Sequence, residues 1–317
     1  MKVELIVQTP GARMDVSELL HSVTFSDNIN KCGSLDFVLP LLPELQIDVG
    51  AVVRFIANGE PYFLGYVFKR SDSGGNDTVS YTAYDQLRYL TANDSYAFDN
   101  LTAGGILQRI CMDMGLVAGA IEDPGYQLGE VVEDNKSMLD MVVHALDTTL
   151  ANTKQMFYIK DQVGAIIMRN IASSIVPLRV SEGENLTGYT HERSIDTDTA
   201  NQIKLVRDNK ESGKREVFIT KDSGNIAKWG LLQHFEVIDE NTNDAQAAEQ
   251  ADMLLQIKNR PTRKLTAEVV GDQSIRAGHL VNINIPKSGL NGFLLCLSAK
   301  HTFTSNYHGV SAEFRLV

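Results

Sequence analysis

Acidic side chains are the residues of this chain whose types and spacing come nearest to catalytic chemistry. A pair of carboxylates suffices for glycoside hydrolysis, because one can protonate the leaving group while the other acts as base or nucleophile. The candidates are Glu122-Asp123, Glu130, Glu133-Asp134, and Asp196 with Asp198. All lie in polar, loop-like stretches, whereas a catalytic acid needs the raised pKa that an apolar pocket provides. We therefore expect solvated acidic loops and no enzyme activity.

Histidines and cysteines offer little metal or nucleophile chemistry. Only His301 and His308 flank one hairpin, where cross-strand neighbours can meet. Two histidines alone make a poor zinc site, so surface positions are the better prediction. Cys111 and Cys296 lie in apolar stretches that predict burial, whereas Cys32 lies in a polar loop that could expose it. With no CxxC, HExxH, GxSxG, Walker A or GxGxxG motif, we expect neither metal nor cofactor.

Composition excludes several classes of protein. The chain has 317 residues, with 29 Lys+Arg against 40 Asp+Glu, and therefore a net charge of −11. Proteins that bind DNA phosphates need clustered cations, so specific nucleic-acid binding is not expected. No apolar run approaches the roughly 18 residues of a membrane span, and the N-terminus lacks a signal-peptide core. We expect a soluble protein without a membrane partner.

The elements that would position these side chains begin as strands. Residues 35–40 alternate apolar and polar, and 52–56 runs into Asn58-Gly59, a two-residue hairpin signal. Residues 62–68 form the return strand, and 79–84 alternates again. This spacing predicts a β-barrel or small sandwich over 1–92.

The middle of the chain changes to α+β, and strands return after it. Thr102 and Ser137 can each cap a helix. The apolar stripes of these helices contain Ile106, Leu107, Ile110, Cys111 and Met114 in the first, and Leu139, Val142, Val143, Leu146 and Leu150 in the second. From about residue 176 strands return, interrupted by one helix near 243–259 that Asn243 can cap.

A weak internal repeat links the two β-rich parts. The strand pattern of 50–56, with Phe63-Leu64 and 79–81, has counterparts in 278–284, Phe293-Leu294 and 310–312. The similar spacing predicts two related β modules on either side of the α+β part.

Aromatic residues are the remaining candidates for recognition. Trp229, the single tryptophan, stands beside a glycine and two leucines; it could be core or an interface anchor, and we name it as the candidate interface residue. Tyr96, Phe98 and Tyr126 are the candidates for a solvent-facing cluster, and packing is the better prediction for them.

Several short sequence segments, in order along nearly the whole chain, resemble those of the XkdQ/YqbQ-type tail proteins. These are the baseplate hub proteins of PBSX-like prophages, contractile phage tails and tail-like bacteriocins. The segments are residues 83–90 (AYDQLRYL), 201–206 (NQIKLV), 228–233 (KWGLLQ), 258–265 (KNRPTRKL), 276–279 (RAGH) and 301–303 (HTF).

The resemblance, which extends to the late-control-D-like superfamily, implies a mainly β fold with an α+β part. It implies two related β-barrel domains flanking the α+β domain: a first barrel at 1–92, the α+β domain at 93–175, and a second barrel at 176–317 containing the inserted helix. It also implies a homotrimer whose six barrels form a pseudo-sixfold ring. Such a ring is a symmetry adapter that joins the sixfold tail tube to the threefold spike.

The implied partners are the tail tube protein, the spike, and other baseplate and LysM-type tail proteins. Because the chain stops at Val317 just after a strand, we expect the spike to be a separate polypeptide. The expected location is the virion tail baseplate, assembled in the bacterial cytoplasm, with DNA passing through the bore without being held.

Two alternatives to a structural hub remain open. The α+β domain could host the cleft of a tail-tip peptidoglycan hydrolase, in which case changing Glu122, Asp123, Glu130 and Glu133 would abolish wall cleavage. A receptor-binding tail protein is the weaker alternative, since it predicts exposed aromatic clusters.

Overall fold

The chain divides into two compact units, residues 1–190 with 265–317 and residues 191–264. A computed structural model describes residues 2–72, 74–75, 77–209, 214–238, 240, 242–304 and 307–316. Strands dominate, so the mainly β fold class is confirmed. Among the described residues, no helix has the length and apolar character needed to cross a membrane.

The strands and helices follow one another along the chain in the predicted β, α+β, β order. The first strands are β1 (Val3–Gln8), β2 (Arg13–Asp15), β3 (Ser22–Asn28), β4 (Ser34–Pro40), β5 (Val52–Ala57), β6 (Glu60–Asp72) and β7 (Thr78–Tyr84). The α+β part contains β8 (Asn93–Asp99), α1 (Ala103–Asp113), β9 (Ala118–Ile121), β10 (Glu130–Ser137), α2 (Met138–Thr153), β11 (Phe157–Asp161) and β12 (Ile166–Asn170). The remaining elements are β13 (Ile175–Ser181), β14 (Leu186–Ser194), β15 (Gln202–Asn209), β16 (Lys214–Lys221), α3 (Ser223–Trp229), β17 (Gln233–Ile238), α4 (Asp244–Lys258), β18 (Thr262–Val270), β19 (Leu280–Ile285), β20 (Leu290–Phe303) and β21 (His308–Leu316).

Local signals place the helices where the sequence predicted them. The Thr102 hydroxyl accepts a hydrogen bond from the Gly105 amide, and the Ser137 hydroxyl accepts one from the Asp140 amide. Asn243 forms a full capping box with Gln246 at the start of α4. The short helix α3 was missed, because seven residues are too few for a clear apolar period.

A single sheet of 13 strands joins the two β-rich parts. Its path runs β14-β18-β21-β20-β3-β4-β7-β6-β5-β1-β2, with β19 and β13 branching from β20. The sequence predicted two closed barrels, and these are not confirmed: within the described residues the path is open, ending at β14 and β2. The two modules share one sheet because β20 is long: its first half pairs with β19 and its second half pairs with β3.

The predicted internal repeat is present in the strand order. The first β module is ordered β1-β5-β6-β7-β4-β3, and the second is ordered β13-β19-β20-β21-β18-β14. Each strand of the first module therefore has a counterpart in the second, at the same place in the chain order and in the spatial order. One pair departs from the match, because β1 is antiparallel to β5 whereas β13 is parallel to β19.

Matching hydrogen bonds support the correspondence. The Gly50 amide donates to the Val67 carbonyl at 2.7 Å, and the Gly278 amide donates to the Cys296 carbonyl at 2.8 Å. Both glycines have a positive φ, +85° and +88°, just before β5 and β19. A bulge follows in each module, between Val67 and Lys69 and between Cys296 and Ser298. Repeated bulges in equivalent strands are typical of a duplicated unit.

The second unit is formed largely by the long connection between β14 and β18. In the first module the equivalent strands, β3 and β4, are joined by residues 29–33 alone. In the second module residues 195–261 carry β15, β16, β17, α3 and α4, and α4 packs on the β16-β15-β17 sheet through Ala247 and Ala251. The predicted boundaries at 92 and 175 stay a prediction.

Candidate assembly interface

The most heavily charged buried site lies where the two β modules and the α+β part meet. Asp27 from β3 is 4% exposed, and Lys160 from β11 is 6% exposed. The Asp27 Oδ2 accepts a hydrogen bond from Arg276 Nε at 2.8 Å, and Lys160 Nζ lies 3.4 Å from it. The Ala277 amide donates to the same oxygen at 3.3 Å, while Lys160 Nζ donates to the Ala277 carbonyl at 2.9 Å.

The cations of this site favour the ionised form of Asp27, whereas burial lowers the pKa of Lys160. Burial opposes ionisation of Asp27, but the Lys160 and Arg276 cations outweigh it and hold the pKa of Asp27 below its usual value. The Arg276 guanidinium also packs against the Phe25 and Tyr62 rings, 4.8 Å from each centroid. The arrangement is therefore a three-way clamp that links β3, β11 and the loop before β19 through their charged side chains.

A histidine pair borders this clamp. His301 is fully buried, and its Nε2 donates to the Ile275 carbonyl at 2.9 Å, so its Nδ1 must accept from His308 Nε2 at 3.0 Å. Burial, with Arg276 and His308 nearby, lowers the pKa of His301 to about 3. The two histidines do meet across the hairpin, but the prediction of surface positions is wrong for His301. The sheet continues past it into β3, which the sequence did not predict.

The candidate catalytic carboxylates are not brought together as an acid–base pair. Glu122 accepts from the Asn170 amide at 2.8 Å and from the Ser173 hydroxyl, and Asp123 accepts from Thr102 at 2.7 Å. Glu130 is exposed on β10.

Glu133 is buried rather than solvated, which corrects the sequence prediction. Burial raises the pKa of Glu133, but hydrogen bonds with Lys136 and His144 outweigh this and lower it. Glu133 therefore lacks the raised pKa of a general acid.

The other candidate residues lie apart from one another. Cys111 and Cys296 are buried as predicted, and Cys32 is half-buried. Tyr96 and Phe98 stack on each other at 5.2 Å, and Tyr126 is half-buried. Among the described residues, no group of three or more His, Cys, Asp or Glu side chains could hold a metal ion.

The predicted interface residue belongs to the second unit. Trp229 is half-buried at the end of α3, and Leu231 beyond it is 58% exposed. One face of the three-stranded sheet in this unit packs on α4. The opposite face exposes about half of each of four apolar side chains, Val217, Ile219, Phe235 and Val237. Exposed apolar patches of this kind are typical of interaction surfaces.

Comparison with known proteins assigns the chain to a family. The family model described as YqbQ-like matches residues 23–315. The chain belongs to the YqbQ-like family. Within it, the phage-like element PBSX protein XkdQ of Bacillus subtilis strain 168 is 28% identical over 271 residues, covering 84% of this chain and 82% of XkdQ.

Solved structures share the fold at low sequence identity. The 43 kDa tail protein of prophage MuSo2 from Shewanella oneidensis has a TM-score of 0.73 at 14% identity, covering 98% of this chain and 97% of that chain. The E. coli c3393 protein has a TM-score of 0.59 at 9% identity, covering 100% and 77% respectively. It is described as a component of the type VI secretion system with structural similarity to the T4 tail proteins gp27 and gp5. This YqbQ-like chain therefore shares the fold of phage tail proteins.

Sequence reasoning missed the Asp27 clamp, although it contained two of the signals. Arg276-Ala277-Gly278 was noted as part of a family phrase, and β11 was predicted as a strand. No local pattern connects Asp27 to Lys160 or Arg276, because these residues follow it by 133 and 249 positions in the sequence. Lys160, at the end of an apolar strand, is a further sign of a buried charge.

Proposed function

We propose that this chain is the structural baseplate hub of a contractile phage tail or tail-like particle, acting as a homotrimeric symmetry adapter. The observation that carries the proposal is the duplicated six-strand module, with its two copies in one strand order and joined in one sheet. Family membership supports a tail protein, and the gp27- and gp5-like description of c3393 supports a position at the tube–spike junction.

The duplication accounts for the adapter role through symmetry. A threefold spike cannot contact a sixfold tube equivalently unless something between them presents both symmetries. Three chains with two equivalent modules each present six modules to the tube and remain three chains to the spike. In this proposal the modules predicted as barrels, 1–92 and 176–317, form the ring, and the trimer contacts are obligate, burying on the order of 2,000 Å² or more.

The proposed partners are the tail tube protein, a separate spike protein and other baseplate proteins of the LysM type, assembled in the host cytoplasm. With a net charge of −11 per copy, a ring would not attract DNA passing through its bore. Trp229 is proposed as one of the residues that contact another tail protein.

We also propose that the hub is not an enzyme. The support is chemical, because Glu122 and Asp123 are each engaged in hydrogen bonds to neighbouring groups, and Glu133, whose pKa burial raises, has it lowered overall by its hydrogen bonds with Lys136 and His144. The purified chain is expected to release no peptidoglycan fragments. Hydrolysis that is lost in a variant with Glu122→Gln, Asp123→Asn, Glu130→Gln and Glu133→Gln would overturn this part of the proposal.

The deciding experiment is the measurement of mass by light scattering, combined with negative-stain imaging, on the chain alone and after co-expression with the tube and spike proteins of its particle. Three chains of 35.0 kDa give a ring of about 105 kDa (3 × 35.0), with six lobes in projection. A chain that stays monomeric under all of these conditions, or that forms a ring with another number of copies, would contradict the hub.

A further inference from the structure

The duplication leaves one strand seam unformed. Within the chain, the second half of β20, residues 298–303, pairs with β3, which joins the second module to the first. The counterpart of that half in β6 is Lys69–Asp72, which pairs with β7 on one edge and, within the described residues, with no strand on the other. The counterpart of β3 is β14, the last strand of the sheet path. Both sides of a second, equivalent seam are therefore available.

The charges of the formed seam recur at the open one with their signs exchanged. In the formed seam, Asp27 is the penultimate residue of β3, and Arg276 stands two residues before the positive-φ Gly278. The penultimate residue of β14 is Arg193, and the residue two before the positive-φ Gly50 is Asp48. Both Arg193 and Asp48 are exposed, and neither takes part in an ion pair among the described residues. The anion and the cation have changed places, so joining the open seam would bring Arg193 to Asp48. Arg70, the counterpart of the Ala299 that pairs with Asp27, would be a second cation at this seam.

An apolar side chain marks the same place. Ala277 is buried in the formed seam, where its amide donates to Asp27. Its counterpart, Val49, lies between Asp48 and Gly50 and is 58% exposed. A valine exposed at a position that is fully buried in the equivalent seam indicates a surface that becomes covered.

We propose that the outer edge of β14 in one copy adds to the open half of β6 in a second copy of this chain, antiparallel, with Arg193 against the partner copy's Asp48. A second copy is the occupant because both sides of the seam belong to this one sequence and reproduce, with reversed charges, a junction that the chain already forms. Open strand edges readily accept such addition. The inference rests on the proposed homotrimer and names the surface that closes it.

Cross-linking tests the seam even where association is weak. In a Cys32→Ser background, whose remaining cysteines are buried, a Val49→Cys chain is mixed with an Arg193→Cys chain under mild oxidation. A disulfide-linked dimer is expected on a denaturing gel. The matched control replaces the Arg193→Cys chain with a Met112→Cys chain, whose methionine is 69% exposed on α1. Equal yields with the two partners would overturn the proposal.

A charge exchange separates this inference from the hub itself. Asp48→Arg and Arg193→Asp are each expected to weaken self-association at least about tenfold, and the double variant is expected to recover to within about threefold of the wild type. Glu44→Arg, an exposed acid in the same loop as Asp48, should have no effect. If the wild type is a trimer and neither Asp48→Arg nor Arg193→Asp weakens its self-association, the seam is overturned and the hub proposal stands. A wild type that is monomeric under all conditions would overturn the hub, and the seam with it.

Discussion

At the scale of single residues, the Asp27 clamp is the interaction that most depends on long-range folding. Two cations share one buried carboxylate, so removing the anion leaves both of them uncompensated. Breaking a buried ion pair typically costs about 3–5 kcal/mol of folding free energy.

We expect Asp27→Asn to lower the free energy of unfolding by about 3–5 kcal/mol, measured by urea denaturation. The control is Asp36→Asn on the neighbouring strand β4, an exposed aspartate that accepts one hydrogen bond from Thr82 at 2.6 Å. That change is expected to cost about 1 kcal/mol or less. Similar losses for the two variants would mean that the clamp adds no more stability than a surface hydrogen bond.

The His301 ring predicts how stability depends on pH. The folded pKa is lowered from 6.5 to about 3 by burial and by Arg276 and His308, with Asp27 acting in the opposite direction. Between these values the unfolded chain binds a proton that the folded chain does not. The stability that His301 contributes is therefore complete above about pH 6.5 and is lost as the pH falls towards 3, by up to about 1.4 kcal/mol per unit.

The His301→Gln variant keeps a donor for the Ile275 carbonyl. It should reduce the slope of unfolding free energy against pH, measured by urea titration between pH 4 and 6.5, the range in which His301 takes up its proton on unfolding. Exposed His21 is the control, and His21→Gln should leave the slope unchanged. An unaltered slope in His301→Gln would mean that another group binds the proton.

At the scale of the elements, the repeat provides its own matched comparison. Gly50 and Gly278 occupy equivalent left-handed positions, at φ +85° and +88°. A methyl group on Gly50 would meet open space, whereas one on Gly278 would overlap the Tyr158 ring. An alanine would therefore suffer backbone strain at both sites, but a steric clash only at position 278.

We expect Gly50→Ala to cost about 1–2 kcal/mol, from left-handed backbone strain alone. Gly278→Ala should cost a further 1–3 kcal/mol or so, because the buried Tyr158 ring has little room to move. Thermal unfolding of the two variants side by side measures the difference. Equal losses would show that Tyr158 can yield, and would remove the packing difference between the modules.

Much of the element level was predictable from the sequence because its signals are local. The caps at Thr102, Ser137 and Asn243, and the Asn58-Gly59 turn with φ of +50° and +83°, are set by neighbours within a few residues. The strand pairing of β3 with β20 was not predictable. Its partners are separated by more than 250 residues, and alternation of apolar residues does not identify which strand pairs with which.

At the scale of the whole molecule, the second unit is an insertion into a short turn of the duplicated module. Residues 195–261 stand where residues 29–33 join the equivalent strands, and the unit packs a hydrophobic cluster of its own around Ile203 and Leu205. A compact inserted unit with its own core is expected to be removable without unfolding its host.

We therefore expect a variant in which the turn sequence 29–33 replaces 195–261 to fold cooperatively. Its melting temperature should stay within about 4 °C of the full chain, because the host core is intact. Circular dichroism and calorimetry measure both properties. A deletion of the same length that removes α1, α2 and β11 is the control and should abolish folding, since these elements build the 87–168 core. A molten or insoluble replacement variant would show that the host needs the insertion.

The sequence by itself determined the class of the chain, the β, α+β, β order of its parts, the caps of three helices, the related β modules and the family. It could do so because composition, periodicity and capping act over a few residues, and because a repeat or a family phrase survives as a pattern of residue types. Only the tertiary structure decided that the modules share one open sheet, that Asp27 is clamped by Lys160 and Arg276, and that His301 is buried. These facts depend on which distant strands pair, and that choice is made by the summed burial and electrostatics of the folded chain.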